Sequence, residues 1–117
     1  MTDDSIAHIT AQIRAFRDAR DWKQFHSPKE LAVAIAAEAG ELLQHFVWQS
    51  TAQSEQRAID RREEIASEIA DVAILLFELS DNLNVSLGEA MSAKIARNEI
   101  RYPVDKARGS NKKYNEL

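Results

Sequence analysis

Four acidic residues occupy positions where a helical protein ordinarily keeps hydrocarbon. Glu38 and Glu41 lie three residues apart in AEAGELLQHFVW (37–48), directly after the apolar run Leu31–Ala37. Glu68 and Asp71 repeat that spacing in EEIASEIADVAILLFELS, again where a helix turns apolar. An isolated carboxylate in an apolar interior costs several kcal/mol, or it shifts its pKa and neutralises. In a helix, i and i+3 lie about 60° apart and about 4.5 Å along the axis, so each pair points one way. If the two helices pack antiparallel, which a short loop favours, all four carboxylates converge. A divalent cation is the plain way to hold them there ionised, and oxygen ligands without His or Cys select Mg²⁺, with Mn²⁺ as a substitute. A single ExxE is usually a solvated helix face; two such pairs, each in the most apolar part of its helix, are not. A di-iron bundle needs Glu-x-x-His on two helices. Here the third residue after Glu41 is Gln44, and the helix that carries Glu68 contains no His. Glu63 and Glu64, beside Arg61 and Arg62, read as surface.

The elements that must position these acids are legible from periodicity. Ile6, Ile9, Ile13 and Phe16 recur at helical spacing and predict a first helix over 4–19. A polar connector with two aromatics, RDARDWKQFHSP, follows. Ser27-Pro28-Lys29-Glu30 starts a second helix by the local rules: Ser as N-cap, Pro at the first helical position, Glu completing a capping box. That helix is expected to run to Trp48. QSTAQSEQ (49–56) reads as a polar loop, and a third helix is expected from Ser54 to Leu83. Ser86-Leu87-Gly88-Glu89 reads as another capping box, opening a fourth helix to Asn98, and Pro103 stops helix beyond it. No strand signal, internal repeat or low-complexity segment is present. The expectation is an all-α, four-helix bundle in a single domain over 1–117, with a helical core over 4–98 and an irregular basic tail over 99–117. The second and third helices are too apolar for a lone monomer of this size, which predicts a homo-oligomer.

Composition narrows the function. The 117 residues are 44% hydrophobic and 29% charged, with three Gly, two Pro and no Cys. Thiol nucleophiles, disulfides and Cys-ligated zinc are therefore excluded. The net charge of −4 argues against a partner bound by phosphate neutralisation along a nucleic-acid polymer. No apolar run reaches membrane-spanning length, and Asp3 and Asp4 stand where a signal peptide would carry base. A cytoplasmic location is expected. The stretch 99–117 is locally basic, so it either meets an anionic small molecule or is simply solvated.

Glu38-Ala-Gly-Glu41, 26 residues, then Glu68-Ile-Ala-Asp71 resembles the ExxE…ExxD signature of the all-α NTP pyrophosphohydrolases, the MazG-like and dUTPase-type superfamily. The flanks RDWKQFHSPKELAVAIAAEAGELLQHFVW and KIARNEIRYPVDKARGSNKKY resemble its dCTP pyrophosphatase branch, over about residues 15–115. The signature alone is weakly specific; with DWxxFHxP, a Trp closing the second helix and KxxxNxxRYP it is strong. The resemblance implies a MazG-like bundle assembled as a homo-oligomer, tetramer favoured over dimer. It implies that Glu38, Glu41, Glu68 and Asp71 bind Mg²⁺ and form the catalytic centre. It also implies cleavage of a nucleoside triphosphate between the α and β phosphates, in the service of nucleotide-pool sanitation.

The remaining candidates come from the matched motifs. Lys94 and Asn98, one turn apart, are expected on phosphate or sugar, although residues alone read as an exposed Lys and a helix-ending Asn. Arg101 and Tyr102 precede Pro103 and are either structural or substrate-facing. Lys112, Lys113 and Tyr114 match the family's basic closing segment, so the tail is expected to fold over the triphosphate, its own subunit's or a neighbour's. Trp22, His26 and Trp48 are expected in the base pocket; on residues alone, Trp22 with Phe25 is a small apolar cluster and Trp48 a helix-end anchor. Animal members of the branch carry a Tyr where this chain has Leu75, so purine or broad-range dNTPs stand beside dCTP and its modified forms. A non-catalytic helical interaction module is the reading from another class.

Overall fold

The computed structural model describes residues 3–117. Among the described residues there are six α-helices and no strand: α1 (Ile6–Ala19), α2 (Pro28–Gln44), α3 (Thr51–Asp60), α4 (Arg62–Asn82), α5 (Leu87–Arg101) and α6 (Val104–Ala107). Two short 3-10 turns, Lys23–Phe25 and Tyr114–Glu116, complete the list. The all-α expectation holds. Six helices replace the expected four. No described helix is long and apolar enough to cross a membrane.

The chain forms two compact units, one ending at Asn84 and one over Val85–Leu117. In the first, α2 and α1 both pack on α4. The N-cap Ser5 accepts a hydrogen bond from the His8 N–H at 3.2 Å and starts α1. Arg14 of α1 grips Asp81 at the far end of α4 with two nitrogens. Arg17 is buried, which an arginine tolerates only when its donors are occupied. Its Nε donates to Asp18 at 2.8 Å and its Nη1 to Asn82 at 2.9 Å. The start of α2 meets the end of α4 through His26 and Glu78, and its end meets the start of α4 through His45 and Glu68. The two helices therefore run antiparallel, as expected.

Several boundaries moved, each for a local reason. Ser27 caps α2 by accepting from the Glu30 N–H at 3.3 Å, but the Glu30 carboxylate pairs with Lys29, so only half of that capping box forms. α2 ends at Gln44 rather than Trp48. The Phe46 and Gln49 N–H groups bond three residues back, and the His45 carbonyl is taken by Arg57 at 3.1 Å. Of the expected loop 49–56 only Gln49 and Ser50 are non-helical; α3 begins at Thr51. Ser50 and Gln53 form the complete reciprocal capping box of α3, at 3.1 and 2.9 Å. The long third helix breaks at Arg61 (φ −117°, ψ 31°), although the bonds Arg61 N–H to Arg57 O and Ile65 N–H to Arg61 O run across the break. Such a bend keeps its hydrogen bonds and leaves no Gly or Pro to mark it.

In the second unit Ser86 precedes α5 without a side-chain cap bond, so the second expected capping box is not made. α5 continues past Asn98 to Arg101. The tail is more ordered than expected: α6 follows Pro103, and the Tyr114 ring packs edge-on against Tyr102 at 6.1 Å, beneath the Arg101 guanidinium at 4.8 Å.

Candidate functional site

The two acidic pairs meet between α2 and α4. One carboxylate oxygen each from Glu38, Glu41, Glu68 and Asp71 lies within 4.8 Å of all the others. Glu38 and Glu68 are half-buried, Glu41 and Asp71 exposed. Glu38 Oε2 and Glu68 Oε2 are buried without any hydrogen-bond partner. Burial, then the hydrogen bond and charge of Glu41 and the charges of Asp71 and Glu68, hold the Glu38 carboxyl above the ordinary carboxylate range. Burial and the charge of Glu41 act the same way on Glu68, while His45, whose Nε2 is 3.9 Å from Glu68 Oε1, pulls weakly in the other direction. An all-oxygen donor set with two orphaned buried oxygens fits a hard divalent cation.

These shifts give a pH prediction for the metal-free protein. Raised folded-state pKa values mean that folding favours the protonated carboxyls. That contribution is complete below the ordinary value of 4.5 and is lost as pH rises through the raised values. In EDTA, the melting temperature of a Glu38→Gln/Glu68→Gln double variant should therefore gain on the wild type steadily from pH 4.5 toward neutrality. A difference that stays flat with pH would refute the repulsion argument.

A cleft of about 250 Å³ adjoins the acids, with Glu38 and Asp71 on its wall. Trp22, His26, Phe16 and Leu75 line it as well. The Phe16 and Trp22 rings meet edge to face at 5.7 Å, and the Trp22 and His26 rings lie 6.2 Å apart. Trp22 and His26 are thus brought to the acids. Trp48 is not: it is 96% exposed, at φ 64°, and does not line the cleft. Lys94, Asn98, Lys112 and Lys113 are exposed members of the second unit, where Arg101, Tyr102 and Tyr114 form the cluster described above.

Sequence reasoning missed Arg17 and Glu78, both buried on the same cleft. The signal for Glu78 was present. It is a charge inside the run ILLFELS, the same anomaly that singled out Glu38. Arg17 stands four residues after Ile13, on the same face of α1 as the apolar stripe, so a charge at a core-facing position was its signal as well.

Known proteins match this arrangement. The sequence pattern of the MazG-like family covers residues 33–117. The dCTP pyrophosphatase 1 proteins of Rattus norvegicus and Homo sapiens are 40% and 38% identical over 118 aligned positions, 99% of this chain and 68% of theirs. The crystal structure of a pyrophosphatase from Archaeoglobus fulgidus superposes with a TM-score of 0.82 at 36% identity, over 88% of this chain and 96% of that one.

Proposed function

The chain belongs to the MazG-like family and is a nucleotide pyrophosphohydrolase, and we propose that it hydrolyses a deoxynucleoside triphosphate, dCTP or a modified dCTP first, with Mg²⁺ held by Glu38, Glu41, Glu68 and Asp71. The observation that carries this reading is the convergence of four carboxylates, two with orphaned buried oxygens, beside an aromatic-walled cleft. A triphosphate carries about four negative charges, and bare carboxylates would repel it. When bound, Mg²⁺ supplies positive charge and Lewis acidity toward water and phosphate.

The protein's own residues supply the rest. Water attacks the α-phosphorus; a new oxygen–phosphorus bond forms, the bond to the α,β-bridging oxygen breaks, and pyrophosphate departs. Glu41, the exposed acid of the α2 pair, is our choice for the group that takes the water's proton. Trp22 offers its face to the base. Lys94, Asn98, Arg101, Tyr102, Lys112, Lys113 and Tyr114 are assigned to phosphate and sugar on charge and motif alone. Trp48, with its exposed ring, is retained as a base-stacking candidate on the motif. Cytoplasmic nucleotide sanitation is the role that fits this chemistry.

Self-association belongs to the same proposal. Leu31 and Ile65 are the only buried apolar side chains among the described residues, while Val33, Leu43, Ile59 and Ile69 are more than half exposed. A tetramer or dimer of this chain would cover such surface. Because Leu75 offers the nucleoside no polar contact, purine or broad-range dNTPs are the second reading.

The test is pyrophosphate release from dNTPs, NTPs and 5-modified dCTPs, with Mg²⁺ and with EDTA. Release from deoxynucleotides that EDTA abolishes is expected. Release that survives EDTA would overturn the metal assignment. No release from any nucleotide would favour a non-catalytic module.

A further inference from the structure

Two helical turns beyond Asp71, α4 carries a carboxylate that hydrolysis alone leaves without a role. Glu78 is 4% exposed and stands on the wall of the 250 Å³ cleft. His26 Nδ1 lies 2.9 Å from Oε1 and 2.8 Å from Oε2; the hydrogen bond is directed at Oε1, and Oε2 is left buried without a hydrogen-bond partner. A buried acceptor without a donor is destabilising, and native proteins leave very few of them.

The surroundings fix this carboxylate in place. The His26 carbonyl accepts from Asn82 Nδ2 at 3.5 Å, and Asn82 Oδ1 accepts from the buried Arg17 at 2.9 Å. The rest of the cleft wall between this network and the acids is apolar: Ile13, Phe16, Trp22, Ile74 and Leu75. Small-molecule sites are typically built this way, with apolar walls and a few placed polar groups that fix orientation. Seven residues separate Asp71 from Glu78, about 10.5 Å along the helix and about 20° in azimuth. One face of α4 therefore presents an acid for the phosphate end of a nucleotide and a second acid deeper in the cleft, with Leu75 between them.

We propose that Glu78 is the base-reading residue: its buried Oε2 accepts a hydrogen bond from the exocyclic amine of a base lying against Trp22, so the site takes amine-bearing bases and rejects uracil and thymine. The proposal rests on the pyrophosphohydrolase reading above. Cytosine and adenine present an amino group where uracil and thymine present a keto oxygen, or its equivalent edge, and a keto oxygen facing a carboxylate leaves both acceptors without a proton. Sites built to receive a substrate N–H discriminate far more strongly than sites that only match shape. His26 acts as a positioning residue: its Nδ1, within 2.9 Å of both oxygens, holds the carboxylate in the cleft wall, while Oε2 makes no directed hydrogen bond and keeps its acceptor capacity for the base.

The closest test pair is dCTP and dUTP, which share size and sugar. The wild type should favour dCTP in kcat/KM by about 100-fold or more. Glu78→Gln replaces the carboxylate by an amide that can donate as well as accept. It should lower that ratio at least about tenfold, with dUTP turnover rising and the melting temperature nearly kept. If Glu78→Gln does not fold, Glu78→Asp keeps the charge but shortens the reach, and the same fall in ratio is expected. An unchanged ratio in a folded, active variant overturns the proposal, as does an equal loss on both nucleotides, the mark of a merely structural residue. A wild type that hydrolyses dCTP and dUTP equally overturns the role of Glu78 while leaving the activity standing. A wild type that releases pyrophosphate from no nucleotide removes both.

Discussion

Glu41→Gln is expected to cut pyrophosphate release by about 1,000-fold or more while leaving the helices folded. Among the four acids Glu41 acts most strongly on both half-buried ones: its hydrogen bond and charge, ahead of the charge of Asp71, raise the carboxyls of Glu38 and Glu68. Neutralising it removes a metal ligand and the proposed proton acceptor together. The same change relieves repulsion in the metal-free protein, so the melting temperature in EDTA should rise by a few degrees, and the stabilisation by Mg²⁺ should shrink. Steady-state pyrophosphate assays beside thermal melts, each with Mg²⁺ and with EDTA, read all three effects. Near-normal turnover in the variant would remove Glu41 from the mechanism.

The largest loss of stability is expected from Leu31→Ala. Leu31 is 1% exposed and is the one fully buried side chain among the described residues. Truncating such a side chain costs about 2–5 kcal/mol, a large share of the 5–15 kcal/mol typical of a domain. With so few other buried apolar groups, little can move in to refill the space. The melting temperature should fall by roughly 10 °C or more. The four carboxylates lie elsewhere on α2 and α4, so at low temperature the folded fraction should keep its Mg²⁺ requirement. A loss of only a degree or two, followed by circular dichroism, would place the core elsewhere, most directly in an interface between copies.

The acidic centre was legible because it broke a rule. Carboxylates inside apolar runs at i, i+3 spacing need an explanation, and the antiparallel pairing of α2 with α4 brings all four within reach of one ion. The same rule marked Glu78, but a single charge carries less weight than a pair. The limits of α2 and α3 were harder to read because they depend on contacts distant in sequence or on side-chain choice. Arg57 reaches back to the His45 carbonyl, and Ser50 takes Gln53 as its capping partner within a stretch whose polarity reads as loop. Glu30 had the right identity for a capping box but binds Lys29 instead. Trp22 and Trp48 share a residue type and lie in the same matched flank, yet only Trp22 lines the cleft. Aromatic identity does not encode which side of a turn a ring will occupy.

The acids sit on two helices joined by a connection that contains all of α3. An ion held between them fastens that connection shut, as a cross-link closes a loop. Escape of the ion and separation of the facing turns of α2 and α4 then become one local opening event, with a free energy below that of global unfolding. Amide hydrogens around residues 38–41 and 68–71 should therefore slow their exchange together when Mg²⁺ is added, by a common factor set by the metal concentration.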